Sequence, residues 1–222
     1  EQIDAEQVIS NADIWTTLDL LPADALESWQ RQRGATPPCN GFLHLHLGFD
    51  ASGLDDLPIH TVWVEDWARG IDAERNAVVM SIPSVLDPAM APAGRHVLHA
   101  YTPASEPWSL WDGMARGSGE YQRRKQERCE VFWQVLDRKI PDIRDRCELV
   151  MEGTPLTHRH FLNVHQGSYG PALSAAKGLF PGVTTPLDNL WLCGASTFPG
   201  IGIPPVAASG AIFSSSSVPL ES

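Results

Sequence analysis

The sequence holds little that would suit a membrane span, a nucleic acid or a disulfide framework. No apolar run approaches the ~18 residues that suggest a transmembrane helix. Positive charge is scarce: 16 Lys and Arg stand against 27 Asp and Glu, for a formal net charge of −11. That balance argues against nucleic-acid binding and against a polybasic grip on anionic lipid. The four cysteines, Cys39, Cys129, Cys147 and Cys193, are scattered and form no CxxC pair, so buried or free thiols in a reducing compartment are the default reading. There is no G-x-S-x-G elbow and no HExxH or H-x-x-E-H spacing, which removes the common serine and zinc hydrolases. An initiator Met and a signal-peptide h-region are also missing, so Glu1 reads as an internal start. The remainder is ordinary for a globular protein. With 222 residues, 43% hydrophobic and 19% charged, the chain suffices for one large domain or two small ones with a buried core.

Residues 6–10 read as a strand and residues 11–21 as a short helix ended by Pro22, with Asn11 or Asp13 as its cap. Residues 28–40 are polar and broken by Gly34, Pro37 and Pro38, which predicts a loop. In residues 41–49 the pattern alternates: Phe42, His44, His46 and Gly48 share one face, and Leu43, Leu45, Leu47 and Phe49 the other. Further β-rich runs fall at 59–65, 77–82 and 95–101, separated by turn-rich segments, so a mostly antiparallel sheet is expected. Over 119–140, Tyr121, Cys129, Phe132, Leu136 and Ile140 recur at three- and four-residue multiples, which predicts a helix stopped by Pro141. Its Arg123-Arg124-Lys125 cluster reads as a solvated face. Residues 147–151 read as a strand returning to the sheet, and Thr154-Pro155 as the cap and first residue of a short helix.

The stretch from Asp188 to Phe213 concentrates the chemistry. An apolar run, Leu190 to Cys193, leads into Gly194, then into a Phe198-Pro199-Gly200-Ile201-Gly202 loop and, after Pro204 and Pro205, a helix read over 206–212. A strand, a glycine loop and a helix N-terminus make a cradle for a polar ligand, because free amides and the helix dipole converge. Among side chains, His44 and His46 share a strand face, and His158, His160 and His165 cluster later. Zinc or iron wants three or four ligands on fixed elements, with carboxylates or thiolates nearby. No such spacing is visible, so these histidines are assigned to capping and strand-face roles and no metal is expected. Cys193 lies in an apolar strand, where a thiol is inert. Trp63, Trp67, Trp108, Trp111 and Trp133 are core or edge aromatics, with lining of a long apolar ligand as the sharper alternative.

The string C-G-A-S-T-F-P-G-I-G-I-P-P-V-A-A-S-G (193–210) resembles the C-terminal flavin motif of the carotenoid isomerase and phytoene desaturase family. G-T-P-L-T-H-R-H-F (153–161) and G-S-Y-G-P (167–171) resemble a second family segment, and the resemblance runs collinearly from about Ala5 to Ile212. It implies an α+β fold of the FAD-linked amine-oxidase and phytoene-desaturase type. Residues 1–22 would end a FAD-binding domain, 23–152 would form the sheet-rich substrate domain, and 153–222 would return to the flavin domain. The implied FAD contacts are Gly194, Ala195, Gly200, Gly202, Ile203, Val206 and Ala207. Arg159 and Tyr169, with Trp63 and Trp67, would line the substrate channel. Ala195 stands where the commoner isomerase version has Asp, which removes one polar contact to the cofactor. The family's G-x-G-x-x-G dinucleotide fingerprint does not occur in these residues.

The resemblance therefore implies the C-terminal part of a flavin-dependent carotenoid cis–trans isomerase-like protein. Its expected partners are an N-terminal FAD-binding half, in cis or on another chain, a hydrophobic polyene and a peripheral membrane contact. Its expected place is a plastid or cyanobacterial interior. The alternative is a catalytically degenerate structural or pigment-contacting subunit of a photosynthetic membrane assembly.

Overall fold

The computed structural model describes residues 3–22, 27–174, 176 and 178–217. In chain order the strands are β1 (Val8–Ser10), β2 (His44–Asp50), β3 (His60–Val64), β4 (Ala77–Ser81), β5 (Arg95–Tyr101), β6 (Cys147–Gly153) and β7 (Leu190–Leu192). The helices are α1 (Ile14–Asp19), α2 (Glu27–Gly34), α3 (Gly119–Lys139), α4 (Ile143–Arg146), α5 (Pro155–Leu162) and α6 (Ile203–Ser217). Among the described residues no helix is long and apolar enough to cross a membrane. Asn40–Ser168 forms one compact unit, and the segments before and after it form a second. The boundaries thus fall after Cys39 and after Ser168, where the sequence placed them after residues 22 and 152.

In the smaller unit β1 and β7 pair in parallel, Ile9 beside Trp191. Asp13 caps α1 by accepting from the Thr16 amide at 2.8 Å, so the helix starts at Ile14, three residues later than the earliest reading allowed. Ile14, Trp15 and Leu192 form the buried centre, with Leu18 and Trp29 against it. The predicted loop over 28–40 is corrected here: α2 occupies its first part. Glu, Gln and Arg are good helix formers, Glu27 and Arg31 pair one turn apart, and the glycine and prolines lie at or beyond the helix's end. Beyond α2, the Cys39 amide donates to the Gly170 carbonyl at 2.7 Å, which ties the two halves of this unit together. At the far end, the Trp191 and Phe213 rings meet edge to face at 5.4 Å and seat α6 on β7.

The larger unit is a five-stranded sheet in the order β3-β4-β5-β2-β6, antiparallel at every pairing. Leu43, Leu45, Leu47 and Phe49 point to one face and are buried there with Cys129, Phe132 and Leu136 of α3. The reason is the alternation itself: a pleated strand sends every second side chain to the same face. Thr154 and Thr157 close a capping box at the start of α5, and the Tyr121 hydroxyl of α3 bonds Thr154 Oγ1 at 3.1 Å. Gly167 has φ +58, and a Cβ there would lie 1.9 Å from the Pro155 carbonyl oxygen, so only glycine lets the following turn lie on α5. These ties keep 153–168 with the sheet.

Under α3 lies a buried ion pair. Arg128 reaches Glu106 with two bonds, Nε to Oε1 at 2.9 Å and Nη2 to Oε2 at 2.7 Å. Trp111 Nε1 donates to the same carboxylate at 3.0 Å. Burial pushes the Glu106 carboxyl above its ordinary value, and Arg128 opposes that push. Arg128→Met would strand a buried carboxylate, and breaking one side of such a pair costs about 3–5 kcal/mol. We expect urea denaturation to register a loss of that size, and the Glu106→Gln, Arg128→Met double variant to be more stable than Arg128→Met alone. Wild-type stability in the single variant would contradict this.

Candidate functional site

The glycine loop of the smaller unit is built by local chemistry. At the end of β7, Gly194 takes φ +105, and a Cβ there would lie 2.8 Å from Asn11 Oδ1. The Gly194 amide donates to Ser209 Oγ at 2.8 Å, and that hydroxyl donates onward to the Val206 carbonyl at 2.6 Å. Thr197 Oγ1 donates to the Gly194 carbonyl at 2.9 Å, and Ser196 Oγ accepts from the Ile14 amide at 3.0 Å. The loop is thus bonded to the start of α1 on one side and to α6 on the other. Gly200 has φ +122, and a Cβ there would press on the Phe180 ring at 3.0–3.4 Å. Gly202 has φ +109, with nothing nearer to its Cβ position than Pro205 Cδ at 3.7 Å. Gly200 is therefore constrained by its own protein, whereas Gly202 presents backbone with room beside it.

Helix α6 begins at Ile203, not Val206, and this corrects the expected donors. The Val206 amide is spent on the Gly202 carbonyl at 2.9 Å, and Ala207 lies a turn inside the helix. Ile203 opens the helix, so its N–H has no intrahelical acceptor, and the residue is 87% exposed. Gly202 and Ile203 accordingly form the edge of the loop able to meet a ligand's polar atoms. A flavin's polar groups suit that edge, which offers a backbone donor, room for close approach and the positive end of a 15-residue helix. Ala195 is half-buried and offers no polar side chain. Tyr169 joins this neighbourhood: at the adjacent Gly170 a Cβ would lie 2.9 Å from Ile201 Cδ1.

The other expected channel residues lie in the larger unit and are not brought together. Trp63 sits on edge strand β3, its Nε1 donating to Glu65 at 2.9 Å and its ring under Arg138 at 5.0 Å. Trp67 follows β3 and is 77% exposed. Arg159 belongs to α5, which follows the opposite edge strand, β6, and its guanidinium covers Trp108 at 5.3 Å. A cleft of this unit, about 520 Å³, lies elsewhere, with His44, Tyr121, Met151, His158, Phe161 and Leu162 among its walls. His46 and His99 complete its imidazole face. Burial, followed by repulsion from His158, His99 and His46, holds His44 down at about 3. Burial and then His46 hold His99 at about 4, so both rings are neutral near pH 7. His99 was not singled out in the sequence. The available signal was the alternation of residues 95–101, but only the strand register sets it beside His46. His160 and His165 stay outside this cleft's walls.

Ser209 is the residue on which the loop's geometry turns. Ser209→Ala would leave the buried Gly194 amide without its acceptor, a cost of about 1–3 kcal/mol. We expect lowered stability in chemical denaturation and faster hydrogen exchange at the Gly194 amide, with the amides of β2 unaffected. Unchanged exchange at Gly194 would mean the bond does not hold the loop.

No family model matches the chain. Among curated proteins it is 35% identical to the chloroplastic prolycopene isomerase of Arabidopsis thaliana over 216 residues, 93% of this chain and 35% of that protein. The prolycopene isomerase of Daucus carota is 36% identical over 220 residues, covering 94% of this chain and 34% of its own length. A 4,4'-diapolycopene oxygenase of Methylomonas sp is 29% identical over 224 residues, 93% of this chain and 42% of that protein. The crystal structure of an oxidoreductase from Methanosarcina mazei matches with a TM-score of 0.53 at 18% identity, covering 97% of this chain and 44% of the other, a likeness of fold alone. The chain thus spans about a third of the length of the prolycopene isomerases it matches. Over nearly its whole length the chain is similar to proteins of the carotenoid isomerase and phytoene desaturase-like family.

Proposed function

We propose that this chain supplies the flavin-facing loop and part of the substrate-contacting surface of a carotenoid-modifying oxidoreductase that acts as a cis–trans isomerase on a poly-cis carotenoid. The observation that carries this reading is the 35% identity to a prolycopene isomerase over 93% of the chain. A dinucleotide grip of the G-x-G-x-x-G kind does not occur in these residues, so it would come from an N-terminal flavin-binding half in cis or on another chain. The chloroplastic relatives favour a plastid, or a cyanobacterial interior, as the place of action, with peripheral contact to the membrane that holds the polyene. No observation favours the structural-subunit alternative.

FAD, when bound, supplies electron exchange with the polyene, chemistry that no side chain of this protein offers. The chain's own residues bind and orient. Gly202 and Ile203 would hold the polar edge of the cofactor through backbone, and Gly194, fastened by Ser209 and Thr197, would keep that edge in place. A polyene presents no hydrogen-bonding handle, so its recognition rests on apolar walls. Met151, Phe161 and Leu162 of the cleft are suited to that role, and they would also exclude water from the double bonds.

The test is Gly202→Val in the full-length protein. A branched side chain at φ +109 is strained and fills the space beside the loop. Bound FAD, read by absorbance after gel filtration, should fall at least tenfold, while far-ultraviolet circular dichroism keeps the signal of the folded sheet. A variant that retains a full complement of flavin would contradict the assignment of this loop.

A further inference from the structure

The imidazoles on the larger unit's sheet carry an inference independent of the flavin reading. In the β2–β5 register His46 stands directly opposite His99, and His44 is one pleat away on the same face. The three rings stack nearly parallel: His46 and His99 lie 4.4 Å apart at 4°, and His44 and His99 lie 5.0 Å apart at 7°. One ligand nitrogen from each lies within 4.8 Å of the others. His44 Nδ1 and His99 Nε2 share a hydrogen bond at 2.7 Å. The second ring nitrogen of His44, Nε2, is buried and has no hydrogen-bond partner among the described residues.

Stacking alone does not account for this arrangement. Phe42 and Tyr101 flank it at 5.3 and 5.4 Å from His44 and His99, and rings of that kind would stack without leaving a polar atom unpaired. A buried polar atom without a partner points to an ion or a water in its place. We propose that His44, His46 and His99 form a three-imidazole site for a first-row transition dication, Zn²⁺ in the first instance. Imidazole nitrogens select such ions over Mg²⁺ and Ca²⁺, which want oxygen ligands. Tetrahedral coordination at about 2.0–2.1 Å would set the ligand nitrogens about 3.3 Å apart. Side-chain rotation would have to close the present spacing, within 4.8 Å, to that value. The proton shared by His44 Nδ1 and His99 Nε2 would shift to the other nitrogen of its ring, so that each imidazole binds in its neutral form. Three ligands leave a fourth position open towards the cleft, where a water or a small anion has room.

The experiment uses tag-free full-length protein, stripped with a chelator and then titrated with Zn²⁺. Metal content is read by mass spectrometry after desalting, and Co²⁺ is added in parallel to read its long-wavelength d–d bands. We expect one equivalent of Zn²⁺ per chain and the cobalt spectrum of a four-coordinate site, with affinity reduced at least tenfold in His99→Phe and in His46→Asn. His160→Asn should bind as the wild type does. His46 is exposed, so His46→Asn keeps the test valid if His99→Phe disturbs the sheet. Binding well below one equivalent, or one equivalent unchanged by both substitutions, would overturn the site. Neither result bears on flavin retention, which is measured separately.

Discussion

The larger unit depends on the two-faced alternation of β2. Leu43, Leu45, Leu47 and Phe49 are all essentially inaccessible, and each such side chain contributes about 1.5–3 kcal/mol when buried. Slipping β2 by one residue would expose all four, a loss of roughly 6–12 kcal/mol, comparable to the whole stability of a domain. That constraint leaves no freedom for the residues between them. Phe42, His44, His46 and Gly48 must take the other face, and the pairing of β2 with β5 then sets His99 and Tyr101 beside them. The core thereby dictates where the imidazoles stand.

The smaller unit reaches its chemistry by a different route. Its reactive groups are backbone amides, positioned by conformation and by hydrogen bonds from small buried side chains. Ser196, Thr197 and Ser209 are buried, yet none is spare: each bonds a main-chain atom of the loop or its neighbours. A loop held this way presents backbone that needs no side-chain reorganisation to receive a cofactor. On the proposed reading, the smaller unit would offer main chain to a polar cofactor, and the larger unit side chains for apolar contact and for metal ligation.

Much of this was legible in the residues. The alternation over 41–49 and the three- and four-residue spacing over 119–140 lead to β2 and α3, because burial enforces both periods. Thr154-Pro155 announced α5 because a cap and an N1 proline serve the same orphan donors. The misreadings have physical causes. Helix α2 is polar but for Trp29, and the breakers that suggested a loop fall at Gly34 and beyond. Helix α6 starts one residue before its prolines, since proline in the first turn has no amide hydrogen to lose; that shift moves the donor edge from Val206 to Gly202 and Ile203. His99 was invisible because it is 53 residues from His46, and only strand register makes them neighbours.

The proposed activity is isomerisation of a polyene without its oxidation. The direct measurement is to incubate flavin-loaded full-length protein with a poly-cis carotenoid under anaerobic, reducing conditions and to follow the products by liquid chromatography with mass detection. The account predicts that the poly-cis peak gives way to trans isomers of identical mass, and that protein without flavin produces no change. Products two hydrogens lighter or heavier, or an untouched substrate with flavin fully bound, would contradict it.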